Sequence, residues 1–131
     1  MNLFDVGSDY YLAHCVSYDF ALGAGIAKEF EARFGLRSKL KKCSCYGRYA
    51  ILIDHVFNLV TKDCYWHKPT YFALRQALED MKRQCASLNI KKIAMPKIGC
   101  GLDRLSWSQV SKIIQEVFDD TDIEILICIC R

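Results

Sequence analysis

The sequence predicts an α/β sandwich with helices on both faces of a mixed sheet. Short β-rich runs alternate with stretches carrying apolar residues at helical spacing, in the order strand, helix, two strands, helix, strand, helix, strand. The last run, Ile123 to Ile129, is nearly all apolar, which predicts a strand buried on both faces. With 131 residues, 52% hydrophobic and 25% charged, the chain suits one domain, residues 1–131, around one core.

Each element has a local cause. Leu12 to Ser17 (LAHCVS) is short and apolar and reads as a buried strand. Gly23-Ala24-Gly25 leads into a helix marked by Ile26, Phe30, Arg33 and Phe34, and Gly35 is its stop. RSKLKKCSCYGR is polar and basic and is expected to be a loop. Tyr49 to Ile53 and Val56 to Val60 are β-rich runs split by Asp54-His55, a hairpin or bent strand. Pro69-Thr70 opens a helix whose apolar face is Tyr71, Leu74, Ala77, Leu78, Met81, Cys85 and Leu88. Ile90 to Met95 is a strand that Pro96 ends, and Trp107, Val110, Ile113, Ile114, Val117 and Phe118 mark the last helix. The two tryptophans are expected in the core.

The net charge of +3 is too small to argue for nucleic acid. The N-terminal MNLFDVGSDYYLAHC has no basic n-region, so no secretory signal is expected, and no apolar run reaches the roughly 18 residues of a membrane span. Eight cysteines lie mostly in apolar context, which predicts reduced, buried thiols and a cytoplasmic or nuclear protein. No Cys-x-x-Cys pair is present, and no metal or cofactor is expected.

In an open α/β sheet, ligands bind outside the carboxyl ends of the strands. Gly23-Ala24-Gly25 and Gly99-Cys100-Gly101 both follow strands and precede helices. Free N–H groups and the partial positive charge of a helix start would let each loop hold one phosphate of a diphosphate. Neither loop fits the dinucleotide or Walker patterns, because position 28 is lysine and position 104 is arginine. On spacing alone, glycines before helices also serve as ordinary turns. Lys62 could be a surface lysine, and Asp103 a helix N-cap or a partner of Arg104.

The segments LAHCVSYDFALGAGIAKEFEARFG, LVTKDCYWHKPTY, MPKIGCGLDRLSW and EVFDDTDIEI resemble the macro domains, in particular the branch of terminal ADP-ribose protein glycohydrolases and O-acetyl-ADP-ribose deacetylases. GAGIA is shared by many macro domains, whereas TK before HKPTY combined with MPxIGCGLDRL is much more specific. The resemblance implies a three-layer α/β/α macro fold that binds ADP-ribose. Gly23, Ala24, Gly25 and Ile26 would hold one phosphate and the near side of the distal ribose. Pro96, Lys97, Ile98, Gly99, Cys100, Gly101 and Leu102 would wrap the other. Leu3 and Ser17 match positions lining the nucleoside and ribose. Lys62 matches the nucleophile and Asp103 its acid/base partner.

A lysine amine can attack the anomeric carbon of an ADP-ribosyl ester, releasing the acid and leaving a sugar–lysine adduct that water resolves. The amine must be neutral to attack, so Asp103 suits a base that takes the ammonium proton. His14 reads as a packed core histidine and His67 as a loop-ordering residue, and the backbone of Cys100 is expected to matter more than its thiol. The family's first strand is expected to be absent. Asn2 stands where members carry an adenine-binding aspartate, and Cys128 or Cys130 stands at the adenine wall. The implied substrates are mono-ADP-ribosylated proteins, through glutamate and aspartate esters, and O-acetyl-ADP-ribose. A non-catalytic reader and an ADP-ribosylated nucleic acid substrate are the alternatives. A monomer without membrane contact is expected.

Overall fold

A computed structural model of the protein describes residues 2–43 and 49–129. Five strands form one sheet in the order β2-β3-β1-β4-β5. They are β1 (Tyr11–Ser17), β2 (Ala50–Ile53), β3 (Val56–Lys62), β4 (Lys92–Met95) and β5 (Glu124–Ile127). β1 runs parallel to both β3 and β4, β4 runs parallel to β5, and β2 pairs antiparallel with β3. The helices are α1 (Gly25–Phe34), α2 (Leu36–Lys42), α3 (Tyr71–Leu88) and α4 (Trp107–Phe118).

Alternation along the strands builds two cores. Ala13, Phe57, Leu59, Ile93 and Met95 face α3 and α4, while Leu12, Val16, Val56, Val60 and Ala94 face α1 and α2. The result is the three-layer α/β/α sandwich that the alternation of elements predicts. α3 starts where Thr70 caps it, accepting from the Ala73 N–H at 3.0 Å. It ends at Asn89, whose φ of 57° is left-handed. Its apolar face holds except at Leu88, which lies beyond the sheet and is 55% exposed.

Three expectations change. Residues Leu36–Lys42 form α2 rather than a loop, because Leu36 and Leu40, one turn apart, are both fully buried. Gly35, at φ 60°, both stops α1 and starts α2. The rest of the expected loop, residues 44–48, lies outside the described residues. Second, β5 is an edge strand rather than one buried on both faces. Among the described residues no strand precedes β1, Leu3–Asp5 form a short 3-10 turn, and β5 pairs only with β4. Third, Trp107 packs against the core as expected, but Trp66 is 70% exposed. Among the described cysteines, Cys15, Cys64, Cys85 and Cys100 are free thiols, whereas Cys43 is disulfide-bonded.

At the centre of the sheet, His14 and Asn58 face each other in register on β1 and β3. Their Nε2 and Oδ1 atoms are 2.6 Å apart, and the Asn58 amide donates to the carbonyls of Ile51 and Val56. The His14 ring stacks on Phe30 with centroids 3.9 Å apart. His14 is the packed core histidine that its strand predicts. Burial holds its pKa down to about 4, against the Asn58 hydrogen bond that pulls it up.

Candidate active site

The carboxyl ends of β1, β3 and β4 open on one cleft. β1 lies between β3 and β4 in the sheet, and the chain leaves it toward β2 on one side and returns from β3 to β4 on the other. That change of direction is where open α/β sheets leave a crevice. The cleft has a volume of about 930 Å³, the size of a small-ligand site.

Lys62 closes β3. The register with β1 shifts there: Val16 pairs with Val60, but Ser17 pairs with Lys62. The irregularity re-aims the end of the strand, as bulges beside functional sites do. The backbone behind Lys62 is fixed by the Tyr18 N–H, which donates to the Lys62 carbonyl at 2.8 Å. Asp103 arrives from the β4–α4 loop. This loop is folded by three backbone bonds: Cys100 to Lys97, Arg104 to Gly101 and Leu105 to Gly99. Lys62 Nζ lies 2.6 Å from Asp103 Oδ1, and the two side chains are only 13% and 17% exposed. Residues 41 positions apart in sequence thus form a sheltered ion pair on the cleft floor.

The wall beside the pair is built for an anion. α1 begins at Gly25, and its N-cap Ala24 supplies no side-chain acceptor. The first N–H groups of any helix lack intrahelical partners, so this end of α1 presents donors and a partial positive charge. Gly25 has φ 59°, and a Cβ there would come 3.2 Å from the Leu102 side chain. The two glycine loops therefore touch across the cleft through Leu102. Gly99 has φ 74°, and a Cβ would meet Leu105 at 2.9 Å, so only glycine fits the second loop at that point. Phe20, Leu22 and Arg104 also take positive φ in the loops bordering the cleft. Such backbone is sparsely populated for these residue types and concentrates at functional sites.

The thiols nearby are held toward their neutral form. Cys15 lines the cleft, and burial, reinforced by the Asp103 carboxylate, pushes its thiol up to about 12. Burial also raises the Cys100 thiol, which donates inward to the Ile98 carbonyl at 3.3 Å. Asp19 ties the two loops above β1 and β3 together. Its carboxylate accepts from Ser17 Oγ, the Ala21 N–H and the Tyr65 N–H. Burial pushes its carboxyl up, but these hydrogen bonds outweigh it and hold the group below the usual aspartate value. His67 orders its loop as expected, its Nδ1 accepting from the Cys64 N–H at 3.3 Å.

Of the sequence-predicted residues, Ser17, Gly23, Ala24, Gly25, Ile26, Lys62, Pro96, Lys97, Ile98, Gly99, Gly101, Leu102 and Asp103 line this one cleft. Asn2, Leu3 and Cys100 do not. Asn2 turns its side chain onto its own backbone, accepting from the Phe4 N–H at 2.9 Å. Leu3 is buried in the core against α1 and borders a separate cavity with Tyr10, Phe34 and His55. The Cys100 N–H is taken by the Lys97 carbonyl at 3.2 Å, so that turn, rather than a ligand, uses it. Cys130 lies outside the described residues. The second glycine loop is also not a helix start, because α4 begins only at Trp107. Cys15, Tyr65, Trp66 and Arg104 line the cleft without having been singled out. Their signal was position: they follow or end the same strands and loops that carry Lys62 and Asp103.

A three-layer sandwich whose strand ends hold an uncapped helix start, a glycine-shaped loop and a lysine–carboxylate pair defines an anionic-ligand-binding α/β domain. The chain belongs to the macro-domain family: the model for the Macro domain matches residues 13–114. It is 45% identical over 120 residues to the cattle (Bos taurus) ADP-ribose glycohydrolase OARD1, covering 88% of this chain and 79% of that protein. The human protein of the same name is 44% identical over 120 residues, with the same coverage of 88% and 79%. The fold is similar to the macrodomain of Mycobacterium tuberculosis DarG, with a TM-score of 0.85 at 22% identity over 97% of this chain and 92% of that one.

Proposed function

We propose that this chain is an ADP-ribosyl ester hydrolase: it removes mono-ADP-ribose from glutamate and aspartate side chains and deacylates O-acetyl-ADP-ribose. The observation that carries the reading is the sheltered Lys62–Asp103 pair at 2.6 Å, in one cleft with the start of α1 and the glycine loop after β4. The 45% identity to an ADP-ribose glycohydrolase supports the ligand class.

In this reading the start of α1, from Gly25, takes one phosphate and the Lys97 to Leu102 loop the other. The distal ribose then lies over Lys62. Asp103 accepts a proton from the ammonium, and the freed amine attacks the anomeric carbon. The bond from that carbon to the ester oxygen breaks, and its electron pair leaves with the carboxylate. Water adds to the same carbon as the lysine nitrogen leaves, its proton passing to that nitrogen to restore the ammonium, and Asp103 releases the proton it holds to solvent, which balances the carboxylate set free. Cys15, kept neutral, forms a thiol wall beside the pair and does not compete as a nucleophile. Free ADP-ribose carries the same anomeric carbon, so it too can form the adduct.

Intact mass spectrometry after incubation with ADP-ribose tests this. The wild type is expected to gain a covalent adduct that maps to Lys62. Lys62→Ala is expected to lose the adduct and turnover by at least about a thousandfold while binding ADP-ribose within a few fold. Full turnover in Lys62→Ala would remove the covalent mechanism.

A further inference from the structure

Directly beyond Lys62, the β3–α3 loop places two large aromatics in water at the mouth of the cleft. Trp66 is 70% exposed and Tyr65 is 64% exposed, and both line the cleft. They are held there rather than left loose. The Trp66 ring packs edge-on against His67, with centroids 4.1 Å apart, and the His67 ring is fixed by the Cys64 N–H. The Tyr65 backbone is tied to the Asp19 carboxylate at 3.1 Å. The facing lip carries Leu102, 72% exposed, and the exposed Arg104. A positioned tryptophan that buries little surface within its own chain is a ready contact for a partner.

We propose that Trp66, flanked by Tyr65, is a specificity residue that packs against an acidic peptide segment carrying the ADP-ribosyl ester. This rests on the hydrolase reading above. If the anomeric carbon lies at Lys62, the group leaving it must pass between the two lips, and the chain bearing that group meets Trp66 first. The lips carry a small excess of positive charge: Lys68, Lys97 and Arg104 are exposed, against the exposed carboxylates of Asp63 and Asp19, while Asp103 is paired with Lys62. A segment rich in glutamate and aspartate complements that balance. A single-stranded nucleic acid would call for a cationic track leading away from the aromatic platform. The chain's dense cationic run, Arg37 to Lys42, is not part of this rim. Lys39 pairs with Asp54 in the β2–β3 turn, at the opposite end of β3 from Lys62, about 20 Å away for a strand of that length.

The test compares kcat/KM on three substrates: a short acidic peptide bearing a glutamate-linked mono-ADP-ribose ester, O-acetyl-ADP-ribose, and an ADP-ribosylated oligonucleotide. For Trp66→Ala, the ratio of peptide to O-acetyl-ADP-ribose is expected to fall about tenfold, carried by KM, with Trp66→Phe restoring most of it. An unchanged ratio overturns the inference. So does a fall seen only with the oligonucleotide, which would make Trp66 a base-stacking residue. A binding measurement keeps the inference separate from the hydrolase reading. In a Lys62→Ala background, the peptide conjugate is expected to bind more tightly than free ADP-ribose, and adding Trp66→Ala is expected to erase the difference. If the wild type cleaves none of the three, the hydrolase reading falls, and this binding difference still decides the role of Trp66.

Discussion

At the residue scale, two sheltered pairings, each made by an ionisable side chain of the sheet, do opposite things. Lys62 and Asp103 are held 2.6 Å apart on the cleft floor, where a ligand can reach them. His14 and Asn58 are sealed inside, where nothing can. The second pairing sets a pH limit on the fold. The His14 pKa is about 4 in the folded chain against an ordinary 6.5, so between these values the unfolded chain binds a proton that the folded one refuses. Stability therefore rises with pH across this window and is lost as pH falls from about 6.5 toward 4. The gap corresponds to about 3 kcal/mol at most. Urea unfolding at pH 7 and pH 4.5 is expected to show that loss, and His14→Phe is expected to flatten much of the dependence while costing stability at pH 7 through the orphaned Asn58 oxygen. A wild-type unfolding free energy equal at the two pH values would contradict the burial assigned to His14.

At the scale of elements, α2 shows what a sequence hides. Its seven residues include an arginine and three lysines, and a count of charges reads them as a loop. Two leucines one turn apart decide otherwise, because each buries its whole side chain against the sheet face. Leu40→Ala is expected to destabilise the domain by about 2–5 kcal/mol, read as a lower urea midpoint, while kcat on O-acetyl-ADP-ribose below that midpoint stays near wild type. A Leu40→Ala protein as stable as wild type would mean that α2 does not dock as described. The other elements were legible because each had a strong periodic stretch and a stop: Gly35, Thr70 and Pro96 mark ends that local chemistry dictates. The glycine loops and Lys62 and Asp103 were legible as motifs. Asn2 and Leu3 were not, because their place depends on how an N-terminal turn packs, which no local pattern records. Trp66 was missed because a tryptophan among apolar residues reads as core, and only the folded loop shows it facing water.

At the scale of the molecule, the parallel strands separate chemistry from charge. β3 runs from the hairpin turn, where Lys39 meets Asp54, to Lys62 in the cleft. The net charge of +3 is thus not spread evenly, since α2 adds Arg37, Lys41 and Lys42, all exposed, at the hairpin side. At physiological ionic strength the screening length is about 8 Å, less than half the roughly 20 Å between that turn and the Lys62–Asp103 pair. The basic helix should therefore not steer a small substrate into the cleft at all. Lys41→Glu with Lys42→Glu is expected to leave kcat/KM for O-acetyl-ADP-ribose and for a short ester-bearing peptide within about twofold at 0.15 M salt. At about 0.01 M salt, where screening reaches some 30 Å, the same double variant is expected to slow capture of both anionic substrates. A large loss at 0.15 M salt confined to an ADP-ribosylated oligonucleotide would show a substrate long enough to touch the cleft and the basic helix together, and would move the acidic peptide from its place as the preferred cargo.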